Sequence, residues 1–255
     1  NKKMPIISVV NQKGGTGKTT TVINLSSYLA LIGQKILVVD FDPQANASSG
    51  LGVVEGKGIY EVISGVSDAS SAMRQIKKNL YLIPATPDLS GANVELANTE
   101  NKEKILFQHL SPLSSQFDII FIDTPPSMGI LTINSLMAST SVVIPIQAEY
   151  FALEGLGQLM NTVNLVKKNL GANLSVLGAV ITMYDERSRL PKEILENLYQ
   201  NFPYRIFRTV IPRNISLAEA PSFGHSIFDY APNSKGANAY RRLGEELIFY
   251  LNTLD

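Results

Sequence analysis

The amino-acid sequence predicts an α/β fold, in which a mostly parallel, doubly wound sheet carries helices on both faces. Short runs rich in Val and Ile recur along the chain and have the continuous apolar character of strands that are buried on both faces. Segments of helical length and spacing separate these runs. Because strands that alternate with helices are typical of parallel sheets, the order of the two patterns predicts the fold class.

Each element is predicted from its apolar pattern and from the Gly, Pro or polar residues at its ends. The strands are predicted at 6–10, 36–41, 80–83, 119–122, 142–146, 177–182 and, with the weakest pattern, 206–211. The predicted helices include 19–31, 102–110, 131–138, 153–170, 192–201 and 237–251. The glycine-rich stretch 50–58 is expected to be a mobile surface loop, whereas residues 66–78 show no pattern that favours an element.

The chain is expected to form a single domain over residues 1–255. Its 255 residues are 45% hydrophobic and 17% charged, which is enough apolar content to bury a substantial core. No fixed-period repeat, low-complexity tract or linker divides the sequence. The composition therefore excludes a disordered chain and gives no support to a second domain.

The charge balance and the missing cysteines exclude several classes of site. The 22 basic and 22 acidic residues cancel, so a nucleic acid or an anionic membrane must be met by a local patch. The absence of cysteine excludes a disulfide framework, a thiolate zinc site and a cysteine nucleophile. His109 and His225 are too far apart for a helical metal motif, so a bound metal ion is expected to sit on oxygen ligands.

The sequence enters an apolar run by Ile6, so neither a signal peptide nor an N-terminal DNA-reading domain is expected. No run approaches the roughly 18 uninterrupted apolar residues of a membrane-spanning helix. We therefore expect a cytoplasmic protein without a stable membrane anchor.

The strongest functional motif lies directly between the first predicted strand and the first predicted helix. It reads Asn11-Gln12-Lys13-Gly14-Gly15-Thr16-Gly17-Lys18-Thr19-Thr20. Its glycines allow a tight turn that aims backbone N–H groups at phosphate oxygens, Lys18 supplies positive charge, and the Thr19 hydroxyl can reach Mg²⁺. The standard pattern G-x-x-x-x-G-K-[ST] has Gly where this chain has Gln12, so the motif is a variant P-loop.

Carboxylates follow two of the predicted strands. Asp40 and Asp42 come at the end of the second strand, and Asp123 ends the fourth. Because ligands bind at the carboxyl edge of an open parallel sheet, we expect these aspartates to converge on Lys18 and Thr19. An apolar run that ends in Asp also has the form of a Walker-B strand, whose carboxylate holds the Mg²⁺ shell.

Taken together, these motifs resemble the ParA/MinD class of P-loop ATPases with a deviant Walker A loop. The similar segments are Lys13-Gly14-Gly15-x-Gly17-Lys18-Thr19-Thr20, Asp40-x-Asp42-Pro43-Gln44 and Asp123-Thr124-Pro125-Pro126. Two further segments resemble the small chromosomal ParA (Soj) branch, namely residues 146–155 and 211–224. The resemblance extends from residue 6 to residue 251 and implies ATP and Mg²⁺ as cofactors.

The resemblance also implies roles for individual residues. Lys13 matches a signature lysine that reaches the phosphates of the other subunit of a dimer, and Lys18 matches the lysine that acts within its own subunit. Asp42 matches the residue that orients the attacking water. The implied metal residues are Thr19, Asp123 and, in a supporting position, Asp40. The implied nucleotide contacts are the loop residues Lys13, Gly14, Gly15, Thr16, Gly17, Lys18, Thr19 and Thr20, with Met183, Pro212 and Asn214 near the adenine.

A weaker signal is an excess of basic residues between positions 187 and 244, where nine Lys and Arg face four Asp and Glu. On the residues alone, this segment is compatible either with a set of unrelated surface charges or with a nucleic-acid patch. The resemblance to a branch that binds DNA non-specifically as an ATP dimer favours the second interpretation. The candidate DNA-binding residues are Arg187, Arg189, Arg205, Arg208, Arg213, Lys235, Arg241 and Arg242.

The function that these features predict is a nucleotide-switched partition ATPase that associates with the nucleoid. Its ATP-bound homodimer would coat double-stranded DNA and be released when a ParB/Spo0J-type centromere-binding protein stimulates slow hydrolysis. A MinD-like, membrane-associated positioning ATPase is the alternative, but residues 237–255 look like a packing helix rather than a basic membrane anchor. A metabolic P-loop enzyme related to dethiobiotin synthetase is a third possibility, and the absence of Cys excludes an iron–sulfur relative.

Overall fold

The computed structural model describes residues 4–96, 99–149, 151–185, 187 and 190–253. In these residues eight strands form one sheet. The strands are β1 (Ile6–Val9), β2 (Ile36–Asp40), β3 (Arg74–Lys77), β4 (Leu80–Ile83), β5 (Ile119–Asp123), β6 (Ser141–Gln147), β7 (Ser175–Tyr184) and β8 (Ile206–Pro212).

The sheet order explains where the ligand-binding edge lies. Across the sheet the order is β3-β4-β2-β5-β1-β6-β7-β8, and among these strands the β3–β4 pair is antiparallel while the other pairs are parallel. Strands β2 to β5 lie on one side of β1, and the later strands β6 to β8 lie on the other side. Strand β1 therefore sits at the switch point, where a crevice opens at the carboxyl ends of the strands.

Helices cover both faces, as a doubly wound sheet requires. The long helices are α1 (Lys18–Leu31), α6 (Ile105–Leu110), α7 (Ile130–Ala138), α8 (Ala152–Leu170), α9 (Leu190–Asn201) and α12 (Lys235–Thr253). The short ones are α2 (Asn46–Gly50), α3 (Ile59–Ile63), α4 (Ala69–Ala72), α5 (Ala92–Glu95), α10 (Ile215–Glu219) and α11 (Ile227–Tyr230). Short 3₁₀ segments at Pro87–Gly91, Lys102–Lys104, Ser111–Gln116 and Ala220–Phe223 join some of them.

The strands divide their side chains between the two faces with the period of two that a pleated strand imposes. In β2, Ile36 and Val38 face a core that α1, α11 and α12 cover, whereas Leu37 and Val39 face the core under α3 and α6. A third cluster lies between β6, β7 and the helices α8 and α9. The central strands are buried on both faces, which confirms the interpretation of the continuous Val and Ile runs.

All seven predicted strands are present: six agree within one residue at each end, and β7 begins two residues earlier and ends two residues later, at Tyr184. The eighth strand, Arg74–Lys77, lies in the segment without a pattern, since an antiparallel edge strand alternates between half-buried and exposed positions. The predicted loop 50–58 was partly wrong: Gly50 ends α2 and is buried. Among the described residues, no helix combines the length and the apolar character needed to cross a bilayer.

We expect Gly244→Ala to destabilise the protein, because α12 crosses α1 at this glycine. A Cβ at position 244 would lie 2.4 Å from Cδ1 of Tyr28, whose ring packs against Phe228. The overlap should cost about 1–3 kcal/mol in the free energy of unfolding. In the control Gly157→Ala, the new Cβ meets no described atom within 4 Å, so better helix propensity should add about 0.5–1 kcal/mol. Urea unfolding measures both changes, and equal shifts would contradict this account of the α1–α12 packing.

Candidate functional site

The loop between β1 and α1 has the backbone of a phosphate cradle. Gly15 and Gly17 have φ angles of 72° and 89°, in the left-handed region that favours glycine, and Gly17 is the N-cap of α1. The Thr182 hydroxyl, at the end of β7, donates to the backbone oxygen of Thr16 at 2.7 Å and anchors the turn. The loop therefore presents backbone N–H groups at a helix N-terminus, an arrangement that binds anions.

Lys18 begins α1 and is 6% exposed. Its Nζ donates to the backbone oxygen of Lys13 at 3.1 Å, so the ammonium lies against the inside of the loop. Burial lowers the pKa of Lys18, while the charges of Asp123 and Asp42 raise it. A buried cation held close to two carboxylates and a phosphate cradle can neutralise the charge of a bound polyphosphate.

Asp123 and Thr19 form the candidate metal site. The Thr19 hydroxyl donates to Oδ2 of Asp123 at 2.8 Å, and Oδ1 of this fully buried carboxylate has no hydrogen-bond partner among the described residues. Burial and the neighbouring Asp40 raise the pKa of Asp123 well above its usual value, against the Thr19 hydrogen bond and the Lys18 charge. A hydroxyl beside an orphaned carboxylate oxygen is a donor set that suits Mg²⁺.

The rest of a Mg²⁺ shell would have to come from outside the protein. Within the described residues, no group of three or more Asp, Glu, His or Cys side chains could hold a metal ion. Mg²⁺ in phosphate-binding sites keeps several waters and takes one or two protein ligands plus substrate phosphates. The Thr19–Asp123 pair beside the phosphate cradle fits that pattern.

Asp40 occupies a supporting position. Its Oδ1 accepts from the backbone N of Asp42 at 3.2 Å, and its Oδ2 accepts from both the N and the Oγ of Ser48, at 2.8 and 2.6 Å. Burial raises the pKa of Asp40 to about 6, although the Ser48 and Asp42 hydrogen bonds oppose this shift. Since both oxygens are engaged, Asp40 fixes the segment that carries Asp42, and a direct metal bond would have to displace these donors.

Asp42 follows β2 and is nearly buried at the carboxyl edge of the sheet. Its Oδ1 accepts from the backbone N of Gln44 at 3.0 Å, and its charge acts on Lys18. The structure thus brings the three predicted aspartates together around Lys18 and Thr19. Strand pairing explains why: Asp40 and Asp123 are directly opposite each other in the β2–β5 register.

The predicted adenine residues lie where β7 and β8 end. Met183 has a φ of 52° and accepts at its sulfur from the Gln147 side chain at 3.1 Å. Pro212 pairs with Tyr184 in the β7–β8 register. Oδ1 of Asn214 accepts from the backbone N of Leu217 and caps α10. Met183 follows Thr182, whose hydroxyl anchors the loop. Asn214 also has a structural role, as the cap of α10, which its sequence position did not predict.

The predicted DNA-binding residues differ in their surroundings. The Arg187 guanidinium donates two hydrogen bonds to Asp185, and Arg241 donates to Asn238 and to the Pro232 carbonyl. Arg189 lies outside the described residues. Arg213, Lys235, Arg205, Arg208 and Arg242 are exposed.

Three of the exposed arginines line the junction of α12 and β8, which we call the basic seam (Arg205, Arg208 and Arg242). The Arg205 guanidinium lies 3.6 Å from the centroid of the Tyr250 ring, and the Arg208 backbone N donates to Glu246 at 2.7 Å. Residues 242, 246 and 250 are four apart on α12 and therefore lie along one side of the helix. Arg242 lies on this side of α12 and Arg205 packs on it at Tyr250, while the carboxylate of Glu246 accepts from the β8 backbone.

Sequence reasoning missed several positioning residues. Ser48 joins Asp40 to the backbone N of Ala85, which donates to its Oγ at 2.9 Å. The Thr124 hydroxyl donates to the Val9 backbone oxygen at 2.7 Å and ties the end of β5 to β1. Ser48 lies eight residues from Asp40 and carries no motif, whereas Thr124 lies in the Asp123-Thr124-Pro125-Pro126 segment, from which its contact with β1 could not be predicted.

The fold and the site define a P-loop nucleotide-binding protein of the α/β class. A family profile described as an AAA domain matches residues 4–176. The chain is 48% identical over 240 residues to the chromosome-partitioning ATPase Soj of Treponema pallidum, covering 94% of this chain and 95% of that one. It is 46% identical to the sporulation initiation inhibitor protein Soj of Bacillus subtilis, over 95% and 97% of the two chains.

A solved structure shows the same fold. The cobyrinic acid a,c-diamide synthase of Mycobacterium smegmatis, with a bound ATP analogue and magnesium, superposes with a TM-score of 0.87 at 32% identity, over 99% of this chain and 97% of that one. The likeness to both Soj proteins extends over nearly the whole sequence. The chain belongs to the Soj/ParA family of chromosome-partitioning ATPases.

We expect Ser48→Ala to destabilise the protein, because it removes one donor from the buried Asp40 carboxylate and leaves the Ala85 N–H without its acceptor. The expected cost is about 1–3 kcal/mol in the free energy of unfolding. The neighbouring Ser49 is exposed and donates to the Asn46 carbonyl at 3.3 Å, so Ser49→Ala should change stability by less than about 0.5 kcal/mol. Denaturant unfolding of the two variants tests the assignment; it fails if they behave alike.

Proposed function

We propose that this chain is a nucleotide-switched ATPase of DNA partition. ATP and Mg²⁺ bind at the loop, ATP binding drives two copies into a sandwich dimer, and the dimer binds DNA without sequence preference. Slow hydrolysis, stimulated by a ParB-type partner, releases the DNA. The observation that carries the proposal is the buried Asp123 carboxylate, which has Lys18 close by. One of its oxygens accepts from Thr19, and the other has no partner in the part of the chain that the structure describes.

The residues of the site divide the work of phosphoryl transfer to water. The N–H groups of the loop and Lys18 hold the phosphates, and Thr19 with Asp123 would hold Mg²⁺, which supplies charge neutralisation at the phosphates when bound. The reaction forms a bond between a water oxygen and the γ-phosphorus and breaks the bond to the ADP oxygen. Asp42 accepts a hydrogen bond from that water and orients it.

The packing of α12 favours this proposal over a membrane-associated positioning ATPase. The apolar side of this helix is covered: Tyr240, Leu243 and Leu247 are buried in the core that α1 and β8 share with it. A helix that already buries its apolar side cannot offer that side to a membrane. ATP hydrolysis measured with and without duplex DNA tests the whole proposal, and stimulation by anionic vesicles in place of DNA would favour the MinD-like alternative.

Asp42→Ala should bind ATP and Mg²⁺ with near-parent affinity but hydrolyse ATP slowly, because the water loses its acceptor. We expect at least about a hundred-fold fall in kcat, within the range for a positioned acid–base or orienting group, and accumulation of an ATP-bound dimer. Light scattering detects the dimer, and nucleotide release measures turnover. Hydrolysis at the parent rate, or a monomer in the presence of ATP, would show that Asp42 has another role.

Lys13 is proposed to act on the phosphates of the partner copy. Its side chain is 56% exposed and pairs with Glu149 of its own chain, so it is available at the surface of the loop. Lys13→Ala should leave ATP binding by the monomer largely intact and abolish the ATP dimer. Sedimentation with and without ATP measures the loss. A variant that still dimerises and hydrolyses ATP would return Lys13 to an ordinary surface charge, worth about 0.5 kcal/mol or less.

DNA binding is proposed to be electrostatic and to use the basic seam in both copies of the dimer. If each copy neutralises roughly three phosphates, the logarithm of affinity should fall against the logarithm of salt with a slope of about −5. Arg208→Ala removes one contact per copy and should reduce the slope by about two.

Anisotropy with unrelated duplexes across a salt series measures that slope. Lys168→Ala is the matched control, because it removes an exposed positive charge at the end of α8, outside the basic segment. Equal slopes for the two variants, or a strong sequence preference, would contradict the seam as the DNA contact.

A further inference from the structure

The first residues of the loop are held by the end of β6, the residues after it and the first two turns of α8, which we call the β6–α8 segment (Pro145, Glu149, Gly155 and Gln158). The Asn11 side chain is buried, and its Nδ2 donates to the Pro145 carbonyl at 2.7 Å while its Oδ1 accepts from the backbone N of Lys13 at 2.9 Å. The Lys13 ammonium forms an ion pair with Glu149. Both ends of this short turn therefore depend on the position of the β6–α8 segment.

Gln12 supplies the third contact, and it is a side chain that the standard loop pattern does not have. Its Nε2 donates to Oε1 of Gln158 at 2.8 Å and, at 3.3 Å, to the Gly155 carbonyl. Both acceptors lie in the first two turns of α8. A glycine at position 12 could make neither bond, so this tie between the loop and α8 belongs to the variant loop.

We propose that Gln12 and Gln158 are positioning residues for Lys13; this rests on the proposed role of Lys13 across the dimer. The Lys13 backbone is fixed inside the loop, since its carbonyl accepts from Lys18 and its N–H is used by Asn11. What remains to be set is the orientation of the turn relative to α8. The hydrogen bond between the Gln12 and Gln158 side chains fixes this orientation and thereby directs the Lys13 side chain.

The second half of the loop is anchored elsewhere, so the two halves can be tested separately. Thr19 bonds to Asp123 on β5, and Thr16 accepts from Thr182 on β7. Neither of these contacts involves α8. Loss of the Gln12–Gln158 bond should therefore weaken what Lys13 does and spare the binding of ATP by the loop.

The experiment compares Gln12→Ala, Gln158→Ala and the double variant in the full chain. For each, a fluorescent ATP analogue gives the nucleotide Kd of the monomer, and steady-state hydrolysis at saturating ATP gives kcat. We expect kcat to fall about five-fold in Gln158→Ala, the effect of one lost hydrogen bond, and at least as much in Gln12→Ala, which also loses the bond to the Gly155 carbonyl. The double variant should fall no further than Gln12→Ala. The Kd should stay within about two-fold. Gln158→Glu keeps the acceptor oxygen and should restore kcat.

Asn161→Ala is the matched control, because it truncates an exposed amide on the same helix and should change neither quantity. An unchanged kcat in Gln158→Ala, a Kd that weakens as much as kcat, or multiplied effects in the double variant would overturn the inference. Lys13→Ala distinguishes failure of this inference from failure of the proposed role of Lys13. If it lowers kcat and Gln158→Ala does not, the inference alone fails; if it leaves kcat unchanged, the role of Lys13 across the dimer fails with it.

Discussion

The buried carboxylate of Asp123 is the constraint on which the rest of the site depends. Burying a charge is costly unless it is paired or hydrogen-bonded, and this carboxylate is fully buried, with a hydrogen bond to one oxygen. Its neighbour in the β2–β5 register is a second carboxylate, Asp40, which adds repulsion. The cation Lys18 compensates only in part. Burial and repulsion thus raise the pKa of both carboxyl groups, and a divalent cation at this edge would favour their charged forms.

The order of the strands creates this situation. Because β5 lies between β1 and β2, Asp123 ends beside both the loop that follows β1 and the segment that follows β2. Both carboxylate oxygens of Asp40 accept hydrogen bonds from that segment, one from Asp42 at its beginning and the other from Ser48 at its end. Ser48 in turn ties the segment to Ala85, after β4. The loops that follow β2 and β4 are thus fixed to each other by buried polar contacts, and the segment that carries Asp42 is held at both ends.

Most of the fold and the core of the site could be predicted from the sequence, because their signals are local. Continuous Val and Ile runs mark strands that are buried on both faces, and Lys18, Thr19 and Asp123 lie in motifs with fixed spacing next to those strands. The elements that were missed have weak local signals: β3 is a four-residue edge strand, and helices such as α2 and α10 are only five residues long. Ser48, Thr124 and the Gln158 partner of Gln12 depend on tertiary contacts between distant segments, which one sequence does not reveal. The basic segment 187–244 was predicted as a unit, but folding divides its arginines between ion pairs, backbone contacts and the seam.

The loop is one motif in the sequence, but its two halves are held by different elements of the fold. Its first three residues are held by the β6–α8 segment, and its last residues by β5, β7 and the beginning of α1. Helix α1 continues into the core, where Thr21 contacts the Tyr240 hydroxyl at 3.2 Å and Asn24 accepts from the backbone N of Ile227 at 2.8 Å. These buried polar contacts fix α1 to α11 and α12, the helix that carries Arg242. The second half of the loop is therefore connected through α1 to the helix that carries Arg242, whereas the Lys13 side chain contacts Glu149, before α8. This division allows nucleotide binding within one copy and the proposed contact with a second copy to be governed by different parts of the fold.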